Sequence, residues 1–211
     1  MYRVSLVDVE IPVDARHRGF VASAGLARRV ACQDHRVPAS RGDLLRWQFD
    51  LTWSLLELHL NQLTAEDLVW EPAARCWTVR RSAAGAWVAD WQEPEPDPPP
   101  VPTIGWVTWH IGWWWTVTLD HVQHRRPRDR AEITWPGEEM ATIAWLCHLR
   151  AEWLTVLDRL TDADLDTPAP FPWPATAERT VAHMVAWVNA ELMKNTAELG
   201  QLRLLRAASV D

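Results

Sequence analysis

The chain has 211 residues, of which 48% are hydrophobic and 23% are charged, and its formal net charge is −7 at pH 7. This composition indicates one globular domain, and the acidic balance argues against a nucleic-acid-binding protein, which needs a basic face for phosphates. No apolar run reaches the roughly 20 residues of a membrane-spanning helix and no export signal is recognisable, so we expect a cytoplasmic protein without membrane partners.

The first 40 residues are predicted to form an N-terminal extension packed on the main domain. Residues 2–9 (YRVSLVDV) alternate apolar and polar side chains, as a β-strand does. A lone strand needs an edge to pair with, and the available one is a β-hairpin predicted at residues 76–91. Two β-prone runs around the turn-forming residues 82–85 indicate this hairpin. We therefore expect the N-terminal strand to pair with it.

Four later segments carry apolar residues at gaps of three and four, the pattern of amphipathic helices. They cover residues 41–63, 103–124, 136–160 and 175–207. Proline-rich stretches at residues 93–102 and 168–174 cannot continue a helix and predict long, extended crossovers. The predicted fold class is therefore all-α, a four-helix bundle over residues 41–207 with long crossovers, a small β-hairpin and the N-terminal strand.

The cysteines give no sign of a disulfide framework or a metal cluster. Cys32, Cys76 and Cys147 are isolated from one another, and their number is odd. We expect all three to be small buried side chains.

Tryptophan is the anomalous residue, with 16 in the chain. The segment TWHIGWWW places His110 next to three consecutive tryptophans, Trp113, Trp114 and Trp115. Successive residues of a helix point about 100° apart, so these three rings cannot share one face. We expect one or two of them to line a cavity and another to face a crossover or a partner subunit, which makes a homodimer one of the expected assemblies.

Several stretches of the sequence together resemble a known family. They are LTAEDLVWEP, CWTVR, PPPVPTIGWVTWHIGWWW and VAHMVAWVNAELMKNTAELGQLRLLR. Their order and spacing are similar to those of the DinB-like superfamily of bacterial four-helix-bundle proteins, in particular its actinobacterial type, over residues 41–206. Relatives include thiol-dependent transferases and maleylpyruvate isomerase-like proteins. The resemblance therefore implies a small-molecule enzyme of transferase, isomerase or cyclase type, with a low-molecular-weight thiol as a candidate cosubstrate.

The resemblance also implies a site between the second and fourth long helices. In metal-binding members, a histidine on one helix and two ligands four residues apart on the other hold a divalent ion. His110 and Glu191 match the first two ligands, but Asn195 stands where a histidine is expected. A neutral amide is a poor ligand for zinc or nickel, so a metal is expected to be weakly bound or absent.

Our leading hypothesis is an enzyme that acts on a hydrophobic small molecule through an acid–base pair of His110 and Glu191. Trp114 and Trp187 are expected to wall the cavity, and Asn195 is expected to contact the substrate. A carboxylate next to a histidine raises the pKa of the histidine, which would bring the pair near neutrality. In the competing interpretation, Glu191 leans toward solvent and pairs with an arginine.

Two other functions stay open. In one, His110, Glu191 and Asn195 hold Zn²⁺ or Ni²⁺ in a thiol transferase or hydrolase. In the other, the protein is a non-catalytic module for small-molecule binding or dimerisation. The remaining helical histidines, His59, His121, His148 and His183, are expected to serve packing or hydrogen bonding.

Overall fold

The computed structural model describes residues 40–174 and 177–209. The predicted all-α class is confirmed, because four long helices form the body of the protein in the predicted order. These are α1 (Arg41–Leu60), α3 (Ile104–Val122), α4 (Glu139–Leu157) and α6 (Val181–Ser209), with two short helices between them, α2 (Ala65–Val69) and α5 (Asp162–Leu165). Residues 1–39 lie outside the described residues, so the N-terminal extension, its strand at residues 2–9 and the pairing of that strand stay predictions.

Local side-chain signals fix where the helices begin. Ser40 and Asp43 form a capping box at the start of α1, and Thr64 and Asp67 form another at the start of α2. Thr103 caps α3 by accepting a hydrogen bond from the backbone N–H of Trp106 at 3.3 Å. This cap fixes the start of α3, the helix that carries His110.

The hairpin is confirmed, but it is shorter than predicted. Its strands are β2 (Val79–Arg81) and β3 (Trp87–Ala89), which pair antiparallel around a turn that contains Gly85 at a φ of 82°. The two residues predicted to begin the hairpin form a separate strand, β1 (Cys76–Trp77). That strand pairs in parallel with β4 (Val101–Pro102), at the end of the first proline-rich crossover. The crossover is thus fastened to the strand that precedes the hairpin.

The last helix is the longest, as predicted, but α6 begins at Val181 and not at residue 175. Glu178 has a φ of 51°, which an α-helix does not accommodate. Thr180 forms an antiparallel bridge with Pro168, so the chain just before α6 is extended. Periodicity does not reveal this start because the bridge depends on a partner twelve residues earlier.

The core lies where α1 packs against α6 and α3 packs against both α4 and α6. Its largest fully buried side chains are Trp53, Trp115, Trp135 and Trp153. The expectation for the cysteines is wrong for Cys147, which is exposed on α4; Cys76 is half-buried, and Cys32 lies outside the described residues. Among the described helices, none is long and apolar enough to cross a bilayer.

Candidate active site between the second and last long helices

A cavity of about 510 Å³ opens beside α3 and α6. Four of the five predicted site residues line it, namely His110 and Trp114 from α3 and Trp187 and Glu191 from α6. The other lining residues are Trp113, Val117, Pro127, Arg128, Asp129, Arg130, Phe171 and Lys194. The volume falls in the range of small-molecule sites, about 300–1,000 Å³. The structure thus brings the predicted site residues of two helices to one cavity.

Aromatic rings fix the orientation of His110. Its imidazole stacks on Trp106 with ring centroids 5.0 Å apart and planes only 9° from parallel, and the edge of Trp113 meets it at 5.7 Å. The Nδ1 atom is buried without a hydrogen-bond partner among the described residues. Within the part of the chain that the structure describes, no carboxylate is hydrogen-bonded to this nitrogen, in contrast to a catalytic triad.

The environment of His110 favours the neutral imidazole. Burial lowers its pKa to about 4, and the positive charge of Lys194 adds to this effect. The charge of Glu191 and the amide of Asn195 act in the opposite direction, but they do not compensate. The expectation that Glu191 brings His110 near neutrality is therefore wrong, because desolvation outweighs the attraction of a partly exposed carboxylate.

Replacing His110 with glutamine should make the stability of the protein less sensitive to acid. In the unfolded chain a histidine takes up a proton near its ordinary pKa of about 6.5, whereas the folded protein resists protonation of His110 down to about pH 4. The unfolded state then binds more protons, so wild-type stability falls as the pH drops from about 6.5 to 4. Urea titrations of wild type and His110→Gln at pH 7 and pH 4.5 measure how much unfolding free energy each protein loses between the two pH values. Equal losses in both proteins would contradict a buried neutral histidine.

Glu191 forms an ion pair with Lys194 at 2.9 Å, three residues further along α6. The carboxylate side chain is 25% exposed and the lysine side chain is 50% exposed, so the pair lies at the mouth of the cavity. No hydrogen bond joins Glu191 to His110 among the residues described. Glu191 thus leans toward solvent as in the competing interpretation, but its partner is Lys194 and not an arginine, and Glu191 and His110 still line the same cavity.

Asn195 lies behind the cavity wall and not on its surface. It is 1% exposed, and its Oδ1 accepts a hydrogen bond from Trp114 Nε1 at 3.2 Å. Its Nδ2 donates to Glu198 at 2.9 Å. Asn195 therefore holds the indole of Trp114 in place, and the contact with substrate expected of it stays a prediction.

The three side chains that match the family's metal ligands fit a divalent cation poorly. The oxygen of Asn195 is engaged by Trp114, and the ammonium group of Lys194 occupies the carboxylate of Glu191. A positive charge at that carboxylate opposes a second cation there. Within residues 40–174 and 177–209, no group of three His, Cys, Asp or Glu side chains has an arrangement suited to a metal ion.

The three consecutive tryptophans divide between the cavity and the core, whereas the sequence predicts that one of those outside the cavity faces a crossover or a partner subunit. Trp113 and Trp114 line the cavity, whereas Trp115 is fully buried against Phe49 of α1 at 5.8 Å. Trp114 meets the edge of Trp187 at 5.6 Å. The result is a wall of flat rings on two helices.

The lining residues that the sequence analysis missed come mainly from crossovers. The segment after α3 folds back because the buried carboxylate of Asp120 accepts hydrogen bonds from Arg128 Nε at 2.8 Å and from Arg128 Nη2 at 2.9 Å. Arg125 contacts the same carboxylate at 2.9 Å. Phe171 enters from the second proline-rich crossover and packs on the edge of Trp187 at 5.7 Å. The arginine run at residues 125–130 was the available sequence signal for this wall.

The other helical histidines have structural partners, as expected. His183 Nδ1 accepts a hydrogen bond from the backbone N–H of Thr180 at 3.2 Å and so caps α6. The remaining three each contact a neighbouring side chain: His59 contacts Arg203, His121 stacks on Phe171 and His148 pairs with Glu152. None of the four lines the cavity.

Comparisons with known proteins agree with this architecture. A sequence model of the DinB superfamily matches residues 48–199. The fold is similar to that in a crystal structure of a conserved protein from Enterococcus faecalis, with a TM-score of 0.54 and 14% identity over 77% of this chain and 94% of that chain. No curated protein shows a significant match in sequence. Since the family match spans most of the bundle, including both helices that carry the site, the chain belongs to the DinB superfamily.

Proposed function

We propose that this protein is an enzyme that binds a planar, hydrophobic small molecule in the tryptophan-walled cavity and acts on it through His110 and Glu191. The observation that carries the proposal is that one cavity is lined both by these two polar residues and by four aromatic rings. Flat rings offer apolar contact area suited to a flat ligand. His110 and Glu191 line the same cavity, so a molecule bound between the rings would contact them.

His110 and Glu191 would have different roles. His110 is unprotonated at physiological pH, so it can accept a proton or a hydrogen bond from a bound substrate. Glu191 forms a solvent-facing ion pair with Lys194 at the mouth of the cavity, where its carboxylate would meet a bound molecule. A bound substrate that carries a negative charge near His110 would raise the pKa of that histidine and strengthen it as a base.

Two alternatives follow from the family resemblance. A metal-dependent thiol transferase or hydrolase would need His110, Glu191 and Asn195 to share an ion, which the contacts of Asn195 and Glu191 disfavour. Near-stoichiometric zinc or nickel in protein purified without added metal would favour that alternative. A thiol cosubstrate does not depend on the metal and stays part of the proposal. The third function is a non-catalytic binding module.

Ligand binding is tested with 2-naphthylmethanol, a neutral planar probe, followed by tryptophan fluorescence. We expect saturable one-to-one binding that Trp187→Ala weakens by about tenfold, because the variant loses an aromatic wall. Trp145→Ala is the matched control, since Trp145 is also half-buried but packs on Gly112 away from the cavity. Unsaturable binding, or equal effects of both variants, would contradict the proposed cavity.

Catalysis is tested by incubating planar aromatic compounds with the protein, with and without a low-molecular-weight thiol, and analysing products by mass spectrometry. His110→Gln should abolish product formation while 2-naphthylmethanol still binds. His148→Gln, which changes an exposed histidine remote from the cavity, should behave as wild type. Product formation that persists in His110→Gln would reject the role of His110. Binding without any product would favour the non-catalytic module.

We also propose that α1 is the interface of a homodimer. Five large apolar side chains at gaps of three and four are between 38% and 59% exposed on this helix, namely Leu44, Trp47, Leu51, Leu55 and Leu58. This spacing is that of paired helices, and an apolar stripe of this length is unusual on a free surface.

Sedimentation velocity should show a dimer that Leu51→Glu dissociates. Val88→Glu, at an exposed hairpin position, should leave it intact. A monomeric wild type would contradict this interface.

A further inference from the structure

We propose that the ligand of the cavity is a planar aromatic anion whose acidic group is bound by Arg130. This inference rests on the proposed function, which supplies the apolar cavity, and it adds the chemical class of the ligand. Arg130 lies in the crossover between α3 and α4 and lines the cavity beside the aromatic wall.

The guanidinium group of Arg130 is available for a ligand. The residue is half-buried, yet among the described residues its side chain forms neither an ion pair nor a hydrogen bond. The two other cations of the lining differ, because Arg128 is bound to Asp120 and Lys194 is bound to Glu191. Withdrawing a charge from water without a partner is costly, so a half-buried guanidinium favours an anion that can pair with it.

The position of this guanidinium is set by an aromatic ring. Its central carbon lies 4.2 Å from the ring centroid of Trp91, a cation–π contact. Trp91 in turn meets the cavity residue Trp113 edge-on at 5.2 Å and stacks on Trp77 at 5.9 Å. The planar N–H fork of Arg130 is therefore held beside the cavity wall. Such a fork matches the two oxygens of a carboxylate, which a point charge such as an ammonium does not.

One unpaired guanidinium in the lining, that of Arg130, indicates a ligand with a single acidic group. Asp120 neutralises Arg128 and Glu191 neutralises Lys194, so Arg130 is the half-buried cation that lines the cavity without a carboxylate contact among the described residues, whereas Asp129 is exposed. His110 adds no positive charge at neutral pH because it is unprotonated. A ligand with a flat ring system and one carboxylate would suit this lining. Its rings would pack between the tryptophans, and its carboxylate would pair with Arg130.

The test compares 2-naphthoate with 2-naphthylmethanol, which have the same ring system and differ in charge. Wild-type protein should bind the carboxylate about tenfold more tightly, and this preference should weaken with added salt. Arg130→Gln should remove the preference and leave the affinity for the alcohol unchanged, which also shows that the variant is folded. Arg130→Lys should keep only part of the preference because it keeps the charge but loses the fork.

Arg81→Gln is the matched control, because Arg81 also packs on a tryptophan, Trp87 at 4.9 Å, but lies on the hairpin away from the cavity. It should keep the full preference for 2-naphthoate. Equal wild-type affinities for the two probes, or a preference that persists in Arg130→Gln, would overturn the inference and leave the proposed function standing. Failure of both probes to bind would instead defeat the proposed function itself.

Discussion

Replacing Trp115 with alanine is expected to destabilise the protein by about 3–5 kcal/mol, the usual cost of truncating a fully buried aromatic side chain. Trp115 is 0% exposed and lies between α3 and α1, with ring centroids 5.8 Å from Phe49 and 6.2 Å from Trp53. The variant would leave a cavity at the centre of the bundle. Urea denaturation followed by circular dichroism measures the change in the free energy of unfolding.

The same truncation at Trp187 should cost much less stability. Trp187 is half-buried and already faces the ligand cavity, so its removal enlarges an existing space that solvent can enter. Trp115→Phe gives a second comparison, because it keeps an aromatic ring and removes an indole N–H that has no partner among the described residues. It should be milder than Trp115→Ala. If Trp187→Ala were as destabilising as Trp115→Ala, the wall of the cavity would be part of the core.

Asp120→Ala should be the most damaging change at a charged residue, with a loss of about 3 kcal/mol at neutral pH. The side chain of Asp120 is 2% exposed, and it pairs with Arg125 and Arg128. Both arginines are about 41–42% exposed, so they can turn toward water when the carboxylate is removed. The loss of stability should therefore lie near the lower end of the range for breaking a buried ion pair. The variant also frees the segment that contributes Arg128 and Arg130 to the cavity. Binding of 2-naphthylmethanol should therefore weaken together with stability.

The contribution of Asp120 should depend on pH in a defined direction. Burial on its own would raise the pKa of Asp120, but the hydrogen bonds and charge of Arg128 and the charge of Arg125 outweigh it, so the pKa is lowered. A lowered folded pKa stabilises the protein above the ordinary value near 3.9, and this stabilisation is lost as the pH falls through the folded value. The difference between wild type and Asp120→Ala should therefore shrink below about pH 4.

A variant at an exposed ion pair serves as the control for Asp120. Glu132→Ala removes the partner of Arg126, at the surface of the same crossover. It should cost less stability than Asp120→Ala, because exposed ion pairs contribute little. Equal losses in the two variants, or a pH-independent difference for Asp120→Ala, would mean that the buried carboxylate does not hold the crossover.

The helices could be predicted because their signals are local, whereas the ends of α6 and of the hairpin depend on partners elsewhere. Apolar residues at gaps of three and four identify α3 at nearly its true length. Periodicity predicts the start of α6 six residues early because the bridge from Pro168 to Thr180 keeps the chain just before Val181 extended. The strand of Cys76–Trp77 pairs across the proline-rich crossover, which no local pattern indicates.

The site divides in the same way. Helical spacing and the family resemblance were enough to place His110, Trp187 and Glu191 at one cavity. They could not predict the protonation state of His110. Its pKa depends on how deeply the imidazole is buried and on its distances from the charges of Glu191 and Lys194. The pair of Glu191 and Lys194 is visible in the sequence as an i, i+3 spacing on a helix. Arg130 could not be placed, because its position depends on how a crossover folds back.

The origin of the cavity wall has an evolutionary consequence. His110 and Glu191 stand on the long helices, which the packed core constrains, while residues 127–130 and Phe171 reach the same space from connecting segments. Connections of this kind accept insertions and substitutions far more readily than a close-packed interior does. Descendants of this protein could therefore change which molecules fit the cavity by altering those connections alone, with His110 and Glu191 inherited unchanged.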